Sequence, residues 1–220
     1  MKNEGILGVL GGMGPQATNT FYQRIIDRTQ AESDQDHLQV LIWSDAKIPD
    51  RTAGILGGRQ EEVFQHLLAD AQLLERAGCT ALAVPCNTSH FFADRIQAEI
   101  GIPIIHMPRQ TVKAILAAGK KTVGILATDG TIRSKLFQQE LEKHGITPVI
   151  PGEKGQKCVM SVIYDDIKAN RPAGMDKFEL ASRDLKDQGA QAIILGCTEL
   201  SLVKRDYPIG AGYLDAMEVL

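Results

Sequence analysis

Short apolar runs alternate with longer amphipathic stretches along the whole chain, the rhythm of strands joined by crossover helices around a parallel sheet. The runs predict strands at Ile6 to Leu10, Gln39 to Trp43, Ala81 to Val84, Pro103 to Ile105, Thr122 to Leu126, Pro148 to Ile150 and Ala192 to Leu195. Between them, Glu62 to Ala77 carries Val63, Leu67, Leu74 and Ala77 on one stripe at helical spacing, with Gly78 where the helix should stop. A second helix is predicted over Arg133 to Lys143, with Leu136, Phe137 and Leu141 on its apolar side and Gly145 just beyond it.

The pattern repeats. Ile6-Leu-Gly-Val-Leu-Gly-Gly-Met-Gly14, followed by Phe21, overlays Thr122-Val-Gly-Ile-Leu-Ala-Thr-Asp-Gly130, followed by Phe137, at a shift of 116 residues. A second match at a shift of 111 pairs Gly78 with Gly189, Ala81 with Ala192 and Cys86 with Cys197. Two matches in the same order at nearly the same shift predict two related α/β halves. The length of 220 residues, long for one domain and tight for two, agrees with two small halves.

The second match singles out two thiols. Cys86, in Val84-Pro-Cys-Asn-Thr-Ser-His90, and Cys197, in Leu195-Gly-Cys-Thr-Glu-Leu200, each follow the carboxyl end of a strand, where open α/β sheets hold ligands. Asn87, Thr88, Ser89 and Thr198 are natural N-cap residues, so each thiol is predicted beside the positive end of a helix. That environment should lower its pKa toward neutrality, and the exposed backbone N–H groups should bind a carboxylate. Two equivalent acid/base groups suit stereoinversion at a carbon acid, where one thiolate removes the α-proton and the opposite thiol delivers one. Cys79 and Cys158 lack matching partners and read as structural, and His90 reads as a local hydrogen-bonding residue.

Composition narrows the partners. The 24 Lys and Arg against 27 Asp and Glu give a net charge of −3, with no basic field for nucleic acid or an acidic membrane. No apolar stretch is long enough to span a bilayer and no signal peptide is evident, so the protein is expected in the cytoplasm. The Cys and His spacings suggest no disulfide framework and no metal. Gly12-Met-Gly-Pro-Gln-Ala17 formally matches a dinucleotide fingerprint, but Pro15 removes a donor where pyrophosphate would need one. No cofactor is expected: pyridoxal phosphate is not needed where paired thiols move the proton.

The stretches Gly11-Gly-Met-Gly-Pro15, Ile48-Pro-Asp-Arg-Thr52, Pro85-Cys-Asn-Thr88, Ile163-Tyr-Asp-Asp-Ile-Lys168 and Gly196-Cys-Thr-Glu-Leu200 resemble, in order and over nearly the full chain, the cofactor-independent aspartate/glutamate racemases. Within that family the chain is most similar to the aspartate racemase branch. Glutamate racemases carry an Asp-Ser-Gly turn in place of Gly12-Met-Gly14 and His in place of Glu199. The resemblance implies two pseudo-symmetric parallel-sheet α/β domains, 1–112 with the C-terminal segment 209–220 and 113–208, an active site in the cleft between them, and a homodimer. It implies Cys86 and Cys197 as the acid/base pair, with Met13, Gly14, Asn87, Thr88, Thr128, Thr198 and Glu199 among the substrate-binding residues. Arg51 and Lys168 would grip the side-chain carboxylate of an acidic amino acid. Alternatives are a racemase or isomerase of another small acid of hydantoin or maleate type, a non-catalytic acidic amino-acid-binding protein, and a redox protein bridging Cys86 to Cys197.

Overall fold

A computed structural model describes residues 5–220, which form two compact units: one reaches to His106 and takes in Leu220, the other runs Met107–Val219. In unit 1, β1 (Ile6–Gly11) leads into α1 (Pro15–Arg28) and β2 (Gln39–Ser44), followed by α2 (Arg51–Leu56), α3 (Gln60–Arg76) and β3 (Cys79–Ala83). A 3-10 turn at Thr88–Phe92 then runs into α4 (Ala93–Gln97) and the short β4 (Ile104–Ile105). The four strands lie parallel in the order β2-β1-β3-β4. α3 is amphipathic as its spacing predicts: Val63, Leu67, Ala71 and Leu74 are buried in one cluster with Leu10 and Leu82. Each leucine buried there contributes roughly 1.5–3 kcal/mol.

Unit 2 begins with α5 (Met107–Ala117), β5 (Thr122–Leu126), α6 (Asp129–Arg133), α7 (Leu136–Lys143) and β6 (Thr147–Val149). It continues through α8 (Glu153–Ser161), a π-helical turn at Val162–Ile167, α9 (Met175–Asp187) and β7 (Ala192–Leu195). α10 (Thr198–Asp206), β8 (Tyr213–Asp215) and α11 (Ala216–Val219) complete it. Its parallel sheet has the order β6-β5-β7-β8. Both sheets therefore run second, first, third, fourth, which is the repeat seen in the sequence. The repeat extends to packing. A Cβ on Gly8 would meet Leu82 Cδ2 at 2.7 Å, and one on the matching Gly124 would meet Leu185 Cδ1 at 2.8 Å. Pro148, which cannot donate to a ladder, lies on the edge strand β6.

Three expectations need correction. The segment 209–220 does not join the first half: β8 pairs with β7, Ile193 opposite Tyr213 and Leu195 opposite Asp215, and all but Leu220 falls in unit 2. Asp215 is fully buried there, its Oδ1 accepting from Ser201 Oγ at 2.6 Å and from the Met217 N–H at 2.9 Å. Residues 107–112 likewise belong to unit 2, because α5 starts at Met107. The helix predicted over 133–143 is two helices, broken where Lys135 takes a left-handed conformation at φ 56°.

Candidate active site

In unit 1 the chain leaves β3 through Val84-Pro85 and turns at once, the Cys86 N–H donating to Val84 O at 2.7 Å. The imidazole of His90 closes the same loop, its Nε2 donating to Val84 O at 3.1 Å, the carbonyl being able only to accept. His90 is thus the local hydrogen-bonding residue that its position suggests. Cys86, Asn87, Thr88 and Ser89 are all buried. Asn87 precedes the 3-10 turn, but its side chain does not cap it. Among the described residues neither Oδ1 nor Nδ2 of Asn87 has a hydrogen-bond partner, although the residue is only 2% exposed. A buried amide without partners is costly and marks a place where a ligand's polar groups would be welcome.

The glycine turn lies in the same unit. Gly12 has φ +92°, and a Cβ there would lie 2.3 Å from the carbonyl of Asp45, so only glycine fits. Its N–H donates to Thr18 Oγ1 at 2.9 Å, while Met13 is buried with its sulfur accepting from Ser89 Oγ at 3.2 Å. Gly14 is the extended residue that starts α1 ahead of Pro15. Arg51, at the first turn of α2, is only 8% exposed, far from a solvated surface cation. Its Nη1 donates to Ile48 O at 3.2 Å and Pro49 O at 3.1 Å, which fixes the guanidinium against its own loop.

In unit 2 Cys197 is itself the N-cap of α10, and Thr198, expected in that role, is the first helical residue. The thiol Sγ donates to Glu199 Oε2 at 2.8 Å. Glu199, its side chain 5% exposed, pairs through Oε1 with Lys168 Nζ at 3.0 Å. The π-helical turn at 162–167 delivers Lys168, whose ammonium lies 5.4 Å from the ring centroid of Tyr164. Thr198 is buried, and Thr128 caps α6, its Oγ1 accepting from the Thr131 N–H at 3.3 Å. Gln156 braces that segment by donating to Ala127 O at 3.0 Å and Asp129 Oδ1 at 2.8 Å.

The electrostatics of Cys197 run opposite to the expectation of a lowered thiol. Burial pushes it well above its ordinary value, the Glu199 carboxylate adds to the rise, and Lys168 only partly opposes it. The helix end remains, but a neighbouring anion and lost solvation outweigh it. The second helix end differs in kind: Cys86 precedes Asn87, the N-cap residue of a 3-10 turn at Thr88–Phe92 that continues directly into α4. Sequence reasoning also missed the Lys168–Glu199 pair, 31 positions apart, for which no local spacing gives a signal. Among the described residues there is no cluster of metal-ligating side chains, and no helix is long and apolar enough to cross a membrane.

Two α/β units of one strand order, each with a buried thiol just beyond its third strand, together with the likeness to known proteins, place the chain in a class: amino-acid racemases built from a repeated α/β half. Within that class the chain belongs to the Asp/Glu/hydantoin racemase family, whose family model matches residues 10–220. It is 30% identical over 202 residues to the broad specificity amino-acid racemase RacX of Bacillus subtilis (strain 168), covering 90% of this chain and 87% of that one. Identity to the glutamate racemase of Deinococcus radiodurans is 27% over 162 residues, 73% of this chain but 53% of that longer protein. The fold superposes on Picrophilus torridus aspartate racemase with a TM-score of 0.81 at 27% identity, covering 97% of this chain and 89% of that one.

Proposed function

We propose that the chain interconverts L- and D-aspartate, and glutamate more slowly, with Cys86 and Cys197 exchanging the roles of base and acid at the α-carbon. The observation that carries this reading is the placement of the thiols: the same strand order, used twice, brings one buried cysteine to the same point of each unit. Removing an α-proton beside a carboxylate demands prearranged donors for the developing charge. Asn87, Thr88, Thr128 and Thr198, all buried, are assigned to that task together with the Met13-Gly14 turn. Arg51 and Lys168 are assigned to the substrate's side-chain carboxylate, Arg51 because its planar fork is already fixed. No cofactor enters this mechanism.

A second reading, racemisation of a broader set of amino acids, is favoured by one specific contact. Lys168 is already partnered by Glu199, so an acidic side chain would compete with a resident carboxylate for that cation. The exposed Leu38, Leu41 and Trp43 on and beside the edge strand β2 support a homodimer, which sedimentation would test. Four free thiols suit a reducing cytoplasm.

Incubation of L- and D-aspartate, glutamate and a panel of neutral and basic amino acids in deuterium oxide tests the function. Inversion should come with solvent deuterium at the α-carbon, fastest for aspartate. Return of every amino acid without exchange would remove the racemase reading, and equal rates across the panel would replace aspartate by the broad reading.

A further inference from the structure

Cys197, Glu199 and Lys168 form a continuous polar chain inside unit 2: thiol to carboxylate at 2.8 Å, carboxylate to ammonium at 3.0 Å. Oε1 of Glu199 takes the ammonium and Oε2 the thiol, with the Thr198 hydroxyl farther from Oε2 at 3.5 Å, so the carboxylate is divided between a proton that could move to it and a cation that keeps it ionised. Glu199 is 3% exposed and Cys197 6%, which leaves bulk water little access to the thiol proton. A thiol must lose that proton before it can act as a base. The group within reach that can accept it is Glu199 Oε2.

We propose that Glu199 is the proton acceptor for Cys197, and that Lys168 holds it in the charged form in which it can accept. This rests on the racemase reading above and deepens it, giving Glu199 a role other than substrate binding. The proton count closes. The S–H bond of Cys197 breaks and an O–H bond forms on Glu199, leaving a thiolate and a neutral carboxyl group. The thiolate takes the α-hydrogen as a proton while the C–H electron pair stays on the substrate, and the Cys86 thiol returns a proton to the other side of the carbon. Cys197 is then a thiol and Cys86 a thiolate, the form that acts on the opposite enantiomer. Glu199 resets the first form by releasing its proton as Cys86 regains one. No oxidation state changes.

The test compares the wild type with Glu199→Gln, which keeps the shape and loses the acceptor, using L- and D-aspartate carrying deuterium or hydrogen at the α-carbon. A lost general base typically costs about 10²–10⁴-fold in rate. Such a fall is expected in Glu199→Gln, together with isotope effects that split by enantiomer. The effect should be large for the enantiomer that Cys197 deprotonates and near unity for the other, whose slow step becomes reprotonation from unlabelled Cys197. Damage to packing alone would lower both rates without splitting the isotope effects. The double variant Lys168→Met with Glu199→Gln removes both charges at once, covers the case in which the single variant fails to fold, and should show the same split. Wild-type rates within about twofold, or equal isotope effects in a folded variant, overturn the proposal. A wild type that exchanges no α-proton from aspartate or any other amino acid overturns the racemase reading, and the proposal with it, before any variant is made.

Discussion

Asn87 offers the sharpest quantitative prediction. Both polar atoms of its amide are buried, and neither has a hydrogen-bond partner among the described residues. An unsatisfied buried polar group costs about 1–3 kcal/mol, so the two together cost the folded chain about 2–6 kcal/mol. Leucine has the same branched shape and nothing to satisfy, but it is larger, and overpacking a buried site costs about 1–3 kcal/mol. Asn87→Leu should therefore stabilise the free protein, by about 2 kcal/mol when the middle of each range is taken. For a chain of this length that raises the calorimetric midpoint by about 4–8 °C. The same substitution should abolish racemisation and remove the stabilisation that saturating amino acid confers on the wild type, because the ligand supplies the amide's partners. Scanning calorimetry of both proteins, with and without aspartate, reads all three effects. If Asn87→Leu melts below the wild type, the amide is paired in the folded protein, and the argument that it is kept unpaired for a substrate is wrong.

Other outcomes follow from the same geometry. Replacing Cys86 or Cys197 singly by Ala should reduce racemisation of either enantiomer below detection in a chiral assay, since one missing thiol breaks the relay in both directions; an active single variant refutes the two-base mechanism. Asp215→Ala strands the Ser201 hydroxyl and the Met217 N–H in a buried site, at a cost of about 3 kcal/mol. Hydrogen exchange should show β8 and α11 losing protection first. The raised thiol of Cys197 predicts an alkaline weakness. In the unfolded chain the thiol ionises near its ordinary value of about 8.5, while in the folded chain it stays protonated to higher pH. This contribution to stability is complete below about pH 8.5 and declines above it by up to about 1.4 kcal/mol per pH unit until the folded thiol ionises. Urea midpoints should fall less steeply in Cys197→Ala than in the wild type between about pH 8.5 and 10.

Periodicity located every strand except β8, and the reason for the exception is physical. Tyr213-Leu-Asp is three residues long and ends in a carboxylate, yet pairing with β7 and the Ser201 hydroxyl bury that aspartate completely. No hydropathy pattern buries an Asp. The break between α6 and α7 was equally hidden, because Lys135 is an ordinary helix former that tertiary structure holds at φ 56°. The two thiols were legible because strand ends in a repeated α/β unit are positions that sequence fixes to within a few residues. The electrostatics of Cys197 were not. A helix N-terminus is local information, but the burial and the Glu199 charge that outweigh it belong to the folded unit.

The repeat supplies equivalent places but not equivalent neighbours. Two residues beyond the thiol, Thr88 stands in unit 1 where Glu199 stands in unit 2, and Cys197 heads an α-helix directly where Cys86 is followed by a 3-10 turn that leads into α4. L- and D-substrates have equal free energies, so kcat/KM must be the same in both directions whatever the thiols are like. kcat and KM separately are under no such constraint. Burial and Glu199 disfavour the Cys197 thiolate, and each tenfold deficit of it corresponds to about 1.4 kcal/mol. Much of the enantiomer that needs it should then bind to enzyme in the wrong protonation state, which lowers kcat and KM together for that enantiomer alone. Progress curves started from pure L- and pure D-aspartate should show unequal kcat with a matching ratio of KM. Equal kcat values would mean that the two thiols are energetically matched despite their different surroundings, and that the carboxylate beside Cys197 does not tilt the proton between the two enzyme forms.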